Sequence, residues 1–201
     1  MADRLRTRNL YLFRTGFSLF WVALVFSLAR TQTGAATVGL VGGALLVIYP
    51  VADAVATLFD LRSGPAVARW PQRLNLAADL TAAPAVLVAL RSSLAAAIAI
   101  FGVWAIGTGA LMICSAAGRQ RVLSGQWLLI ISGAGSVLAG TTFVTWTGSP
   151  SAGLIGLARY SAGGAVWYLL AAVWLSWAAR SRPAERPAAD AAGFSRPREE
   201  E

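Results

Sequence analysis

Apolar runs of about span length alternate with short polar or arginine-bearing breaks along most of this chain. About 20 consecutive apolar residues cross a bilayer's hydrocarbon core as a helix, so the pattern predicts membrane spans. The first run, Thr15 to Ala29, is short, and Leu10 to Phe13 extend it if Arg14 snorkels toward the headgroups. Its basic start and Ser27-Leu28-Ala29 also resemble a signal peptide. It lacks a polar segment before that point and completes a first hairpin, which favours a retained helix. The second span covers about Ala35 to Phe59 and the third about Leu74 to Leu90, with Asp79 and Pro84 inside it. Arg91-Ser92-Ser93 reads as a tight turn, and the uncharged stretch Ser92 to Gly118 supplies the fourth span. Val122 to Ala158 is uncharged but too long for one helix, and Thr147-Gly148-Ser149-Pro150 breaks it. The fifth span is then about Leu123 to Trp146, and the sixth, about Gly153 to Ala179, contains Arg159.

The expected fold class is all-α: a polytopic membrane bundle of six transmembrane helices. The phrases Gly43-Ala44-Leu45, Gly109-Ala110-Leu111 and Gly164-Ala165-Val166 suggest three hairpin repeats. Residues 1–14 form a basic cytoplasmic N-terminus, 15–180 the membrane domain, and 181–201 a Pro-, Ala- and charge-rich cytoplasmic tail that cannot bury a core. Small residues at four-residue spacing, with Gly39 and Gly43 as the first pair, mark seams where helices approach closely, and Gly109 and Gly164 carry the same expectation.

Composition agrees with the pattern. A 57% hydrophobic and 13% charged chain is too apolar for an ordinary soluble domain. The net charge of +8 does not indicate nucleic acid, because the arginines sit between and beyond the spans. Fourteen of the 17 basic residues fall in the N-terminus, the 60–73 loop, the 119–121 turn and the tail, and two, Arg30 and Arg91, on the opposite side. That asymmetry places both termini in the cytoplasm. The absence of lysine points to a high-GC bacterial genome, hence the bacterial inner membrane. The bilayer is the expected partner, with further copies of the chain an open question.

Candidate chemistry is sparse. There is no His, and Cys114 stands alone, reading as a small buried residue, so neither a metal site nor a cofactor is expected. With no convergent acid–base set the chain reads as non-enzymatic. The sharpest feature is Asp53 and Asp79, at similar depth in the inner third of spans two and three. Thr57 and Asp60 share a helical face with Asp53, and Asn75 shares one with Asp79, as polar support. Ionisable groups inside spans mark functional sites, so a proton-linked pair is one reading. The other is structural, each aspartate pairing with a loop arginine, Arg62, Arg73 or Arg121. Arg159, in the outer third of span six, reads as a snorkelling side chain or an anion contact. Trp104 and Trp167 read as packing residues. Spans one, four and five offer almost no polar stripe for a pathway.

One stretch carries a resemblance. Gly125-Gln126-Trp127-Leu128-Leu129, Gly133, Pro150, and Gly163-Gly164 before an Ala-rich helix into Arg180 resemble the HdeD-like short-repeat membrane proteins of bacteria. FGVWAIGTGALMICSAAGRQR and GLVGGALLVIY match more loosely. The resemblance implies a six-span inner-membrane protein, in some members linked to acid resistance, with no catalytic motif, and the expected function is a non-enzymatic role in envelope stress or acid tolerance. A small proton- or cation-linked transporter or channel using Asp53 and Asp79 is the alternative function.

Overall fold

A computed structural model describes residues 2–30, 35–63, 66–147 and 154–180. Those residues are almost wholly helical: α1 (Ala2–Arg30), α2 (Ala35–Ser63), α3 (Arg69–Ala89), α4 (Leu94–Arg119), α5 (Trp127–Thr145) and α6 (Leu154–Arg180), with a single 3-10 turn, Ala66–Ala68, before α3. Helices satisfy every backbone polar group within the segment, which an apolar surrounding demands. The tight turn after α3 is present, and Ser93 caps α4, its hydroxyl accepting from the Ala96 amide at 3.0 Å. The tail at 181–201 and the Gly148–Pro150 part of the predicted break lie outside the described residues. The residues read as a basic N-terminus are helical from Ala2 and continue without a break into the first apolar run, as one helix to Arg30. Arg14 therefore lies in mid-helix rather than at a helix end.

The six helices form a closed ring in chain order, each packed on the next and α1 closing on α6. Cross-contacts fix the directions. Thr15 reaches the carbonyl of Ala165 while Tyr11 packs on Tyr168, so α1 and α6 are antiparallel. The start of α1 and the end of α6 consequently lie at the same end of the bundle. The most extensive packing is between α4 and α5 and between α1 and α6, and the pairs α1/α2 and α5/α6 that a three-hairpin reading makes units share less.

Five helices contain segments long and apolar enough to cross a membrane: Leu5–Leu28, Leu40–Arg62, Leu94–Arg119, Trp127–Thr145 and Leu154–Ala178. This is the signature of a multi-pass membrane protein. The sixth, α3, is diluted by Arg69, Arg73, Asn75 and Asp79. Two of these four nevertheless point inward. Asn75 and Asp79 are buried, whereas Leu80 is 61% exposed and Leu87 and Val88 are exposed beside it. That is the reverse of a soluble helix, whose apolar stripe faces the core.

The core has two apolar clusters. One, at the end with the α3–α4 turn, joins Trp21, Leu46, Val86, Phe101 and Leu157. The other, toward the end with the chain termini, joins Tyr11, Leu128, Leu129 and Leu175. Near it the chain turns through Gly125, whose φ of 79° suits glycine and where a Cβ would stand 2.3 Å from Trp174 Cδ1. This turn buries Gln126, which accepts a hydrogen bond from the Tyr11 hydroxyl at 3.2 Å.

Candidate functional site

On α2, Tyr49, Asp53, Thr57 and Asp60 recur at helical spacing and form one polar stripe toward the ring's interior. At 1.5 Å per residue it runs about 16 Å, roughly half of a bilayer's hydrocarbon thickness. Every member meets a polar partner from another helix.

Arg14 of α1 forms an ion pair with Asp53. The same guanidinium donates to the Tyr168 hydroxyl at 3.0 Å and the Thr57 hydroxyl at 3.2 Å, and lies 5.4 Å from the centroid of the Tyr168 ring. The Asn75 amide on α3 reaches Asp53 Oδ2, Thr57 Oγ1 and Asp79 Oδ2, each at 3.0 Å. Asp79 also accepts from the Trp104 indole N–H of α4 at 2.9 Å. Asp53 and Asp79 thus share the amide of Asn75. One turn along the stripe, Asp60 pairs with Arg119 of α4, and both side chains are buried. At the other end the Tyr49 hydroxyl sits between Ser18 at 3.3 Å and Ser161 at 3.2 Å.

These groups surround a chamber inside the ring, with contributions from all six helices. The room for the centres of water molecules is about 80 Å³, several times what one water needs. Asp53 and Arg14 border it, each with 14% of its side chain exposed, whereas Asp79 lies behind Asn75 and Trp104 with none. The charged groups of the network are two arginines and three aspartates, one negative charge in excess when all are ionised. Among the described residues no group of three His, Cys, Asp or Glu side chains could hold a metal ion.

The residues singled out from sequence divide clearly. Asp53, Asp79, Thr57 and Asn75 form one network, and Asp60 adjoins it. The expected loop partners do not: Arg62, Arg73 and Arg121 are exposed, and the pairing falls to Arg14 and Arg119. Arg14 points inward instead of snorkelling, because Asp53, Thr57 and Tyr168 satisfy it there. Trp104 packs, as expected, but also holds Asp79. Arg159 is exposed on α6, apart from the network. Cys114 is exposed on α4, not buried. Polar stripes do line the first, fourth and fifth spans: Thr15 and Ser18 on α1, Thr108 and Ser115 on α4, and Ser132 and Ser136 on α5 are buried.

The three repeat glycines are not equivalent. At Gly109 a Cβ would stand 2.7 Å from the carbonyl oxygen of Gly133, so this glycine is a true seam between α4 and α5. At Gly43 it would meet only the flexible end of Leu90, at 3.0 Å. At Gly164 it would meet nothing within 4 Å, and this residue borders the chamber instead of a helix. The surroundings of Gly39 lie outside the described residues.

No family model, curated protein or solved structure matches this chain.

Proposed function

We propose that the chain is a small non-enzymatic six-span protein of the bacterial inner membrane, built in the manner of HdeD-like proteins, whose interior network is a proton- or cation-linked transport site. The observation that carries this is the convergence of Asp53 and Asp79 on one amide beside a water-sized chamber. A structural lock needs its ion pairs satisfied and closed; here Asp53 and Arg14 keep exposed surface on the chamber. The excess negative charge is balanced by one proton or one small cation, and intramembrane charge left unbalanced is costly. Acid tolerance or envelope stress is a physiological setting in which moving such an ion is useful.

The decisive test is flux. Purified protein in proteoliposomes loaded with a pH-sensitive dye is given an acid pulse or a gradient of a monovalent cation. Flux above empty vesicles, lost in Asp53→Asn and in Asp79→Asn, is expected. Folded wild-type protein that passes neither protons nor cations sinks the transport reading.

The proposed topology has α3 as the sixth span and both termini in the cytoplasm. Its support is the outward leucine face of α3, the shared end of α1 and α6, and the arginine asymmetry. Reporter fusions after Gly64 are expected to read as cytoplasmic and those after Ser149 as periplasmic. The opposite result at both sites rejects it.

A further inference from the structure

The chamber's walls say more than its charge. Phe17 and Tyr49 meet edge to face with centroids 5.6 Å apart, and Tyr49 meets Trp104 the same way at 5.9 Å. These three rings come from α1, α2 and α4, and Tyr160 and Tyr168 of α6 complete the aromatic lining around the Asp53 carboxylate. Aromatic walls beside a carboxylate recognise organic cations, because ring faces attract positive charge most strongly where water is excluded.

The chain already demonstrates this preference. Its own cation, Arg14, lies on Asp53 with its guanidinium 5.4 Å from the Tyr168 ring centroid. An anion would meet two aspartates on the chamber wall, Asp53 and Asp60, and the two arginines there are already held by them. Of the two carboxylates on the chamber wall, Asp60 is closed in its buried pair with Arg119 and Asp79 lies behind the wall, so a bare metal ion would find Asp53 alone. A cation that brings its own apolar surface fits this lining better than either.

We propose that the chamber binds a small organic cation of the alkylammonium class, seated between Asp53 and the rings of Tyr49, Trp104 and Tyr160, in competition with the Arg14 guanidinium for Asp53. This deepens the transport reading and rests on it for its biological meaning, but the binding is testable alone. Trp104 borders the chamber, so its fluorescence contributes to the report of occupancy.

Wild-type protein in nanodiscs is titrated with tetramethylammonium chloride and with ethylammonium chloride, against sodium chloride at equal ionic strength and tert-butanol as a neutral apolar control. Saturable binding of an ammonium ion, absent with both controls, is expected. Arg14→Gln frees Asp53 of its internal competitor and is expected to tighten binding about tenfold, whereas Tyr160→Leu removes a ring and is expected to weaken it by a similar factor. Tyr160→Phe keeps the ring and is expected to retain binding. Arg14→Gln and Tyr160→Leu are each checked for monodispersity, and the wild-type titration stands without them. No saturable ammonium binding to folded wild type, or binding equal to that of the neutral control, overturns the inference. If ion flux persists in that case, the transport reading survives and only the ligand class fails. Ammonium binding without flux does the reverse.

Discussion

Gly109→Leu is expected to prevent assembly of the bundle, while Gly164→Ala leaves it intact. The α4–α5 seam is made by two glycine pairs facing each other across antiparallel helices. A Cβ at Gly109 would lie 2.7 Å from Gly133 O, and one at Gly133 would lie 2.6 Å from Gly109 O. Seven residues away the same happens between Gly102 and Gly140, at 2.8 and 2.5 Å. The obstructing atoms are backbone, so no side-chain rotation relieves the clash. The two helices must separate, and dispersion contact along the seam falls off steeply with the gap. Overpacking in well-filled cores costs about 1–3 kcal/mol, and more where the backbone must move. Alanine at Gly109, Gly43 and Gly164 gives a like-for-like series. The expected order of damage is Gly109 well above Gly43, with Gly164 near wild type. Size-exclusion monodispersity after detergent extraction measures it. Equal behaviour at all three positions would show that the glycine seam contributes nothing particular.

The sequence makes the helices legible because an apolar run of this length has few other uses. It also brings out Asp53 and Asp79, since carboxylates in such runs are conspicuous. Their partners were harder to see. Arg14 follows Arg4, Arg6 and Arg8, and membrane-flanking arginines are ordinarily anchors. A signal was present: Thr7, Tyr11, Arg14, Thr15 and Ser18 recur at helical spacing on one side of an otherwise apolar helix. Arg119 carries a similar disguise, as one of two arginines flanking a turn, and only the register of α4 against α2 places it on Asp60. The α3 helix misleads in the other direction. Its mean hydropathy is lowered by the residues that make the site, while its leucines face outward. The repeated glycine phrases misled about packing because a glycine in a helix looks the same in sequence whether it faces backbone, a pliable side chain or open space. Ring order decides among these, and ring order is a property of contacts between distant segments.

Breaking the Asp60–Arg119 pair from one side is expected to destabilise the protein more than breaking Arg14–Asp53. The first pair has side-chain exposures of 4% and 3%, the second 14% for each partner. Removing one member of a fully buried pair strands the other charge without water, at a cost of about 3–5 kcal/mol. Asp60→Leu and Arg119→Met are each expected to approach that range. For Asp53→Asn a smaller loss is expected, because the Arg14 guanidinium keeps Tyr168 and Thr57 as acceptors and some contact with the chamber. Replacing both members of the buried pair by apolar groups of similar volume removes the stranded charge altogether. The double variant Asp60→Leu with Arg119→Met should therefore be more stable than either single variant, since buried pairs are often near neutral against apolar replacements. Unfolding in a graded series of denaturing detergent, run on all four proteins, gives the cycle. If each single variant stays within about 0.5 kcal/mol of wild type, the pair is not carrying buried charge and the packing of α2 against α4 must be reassessed.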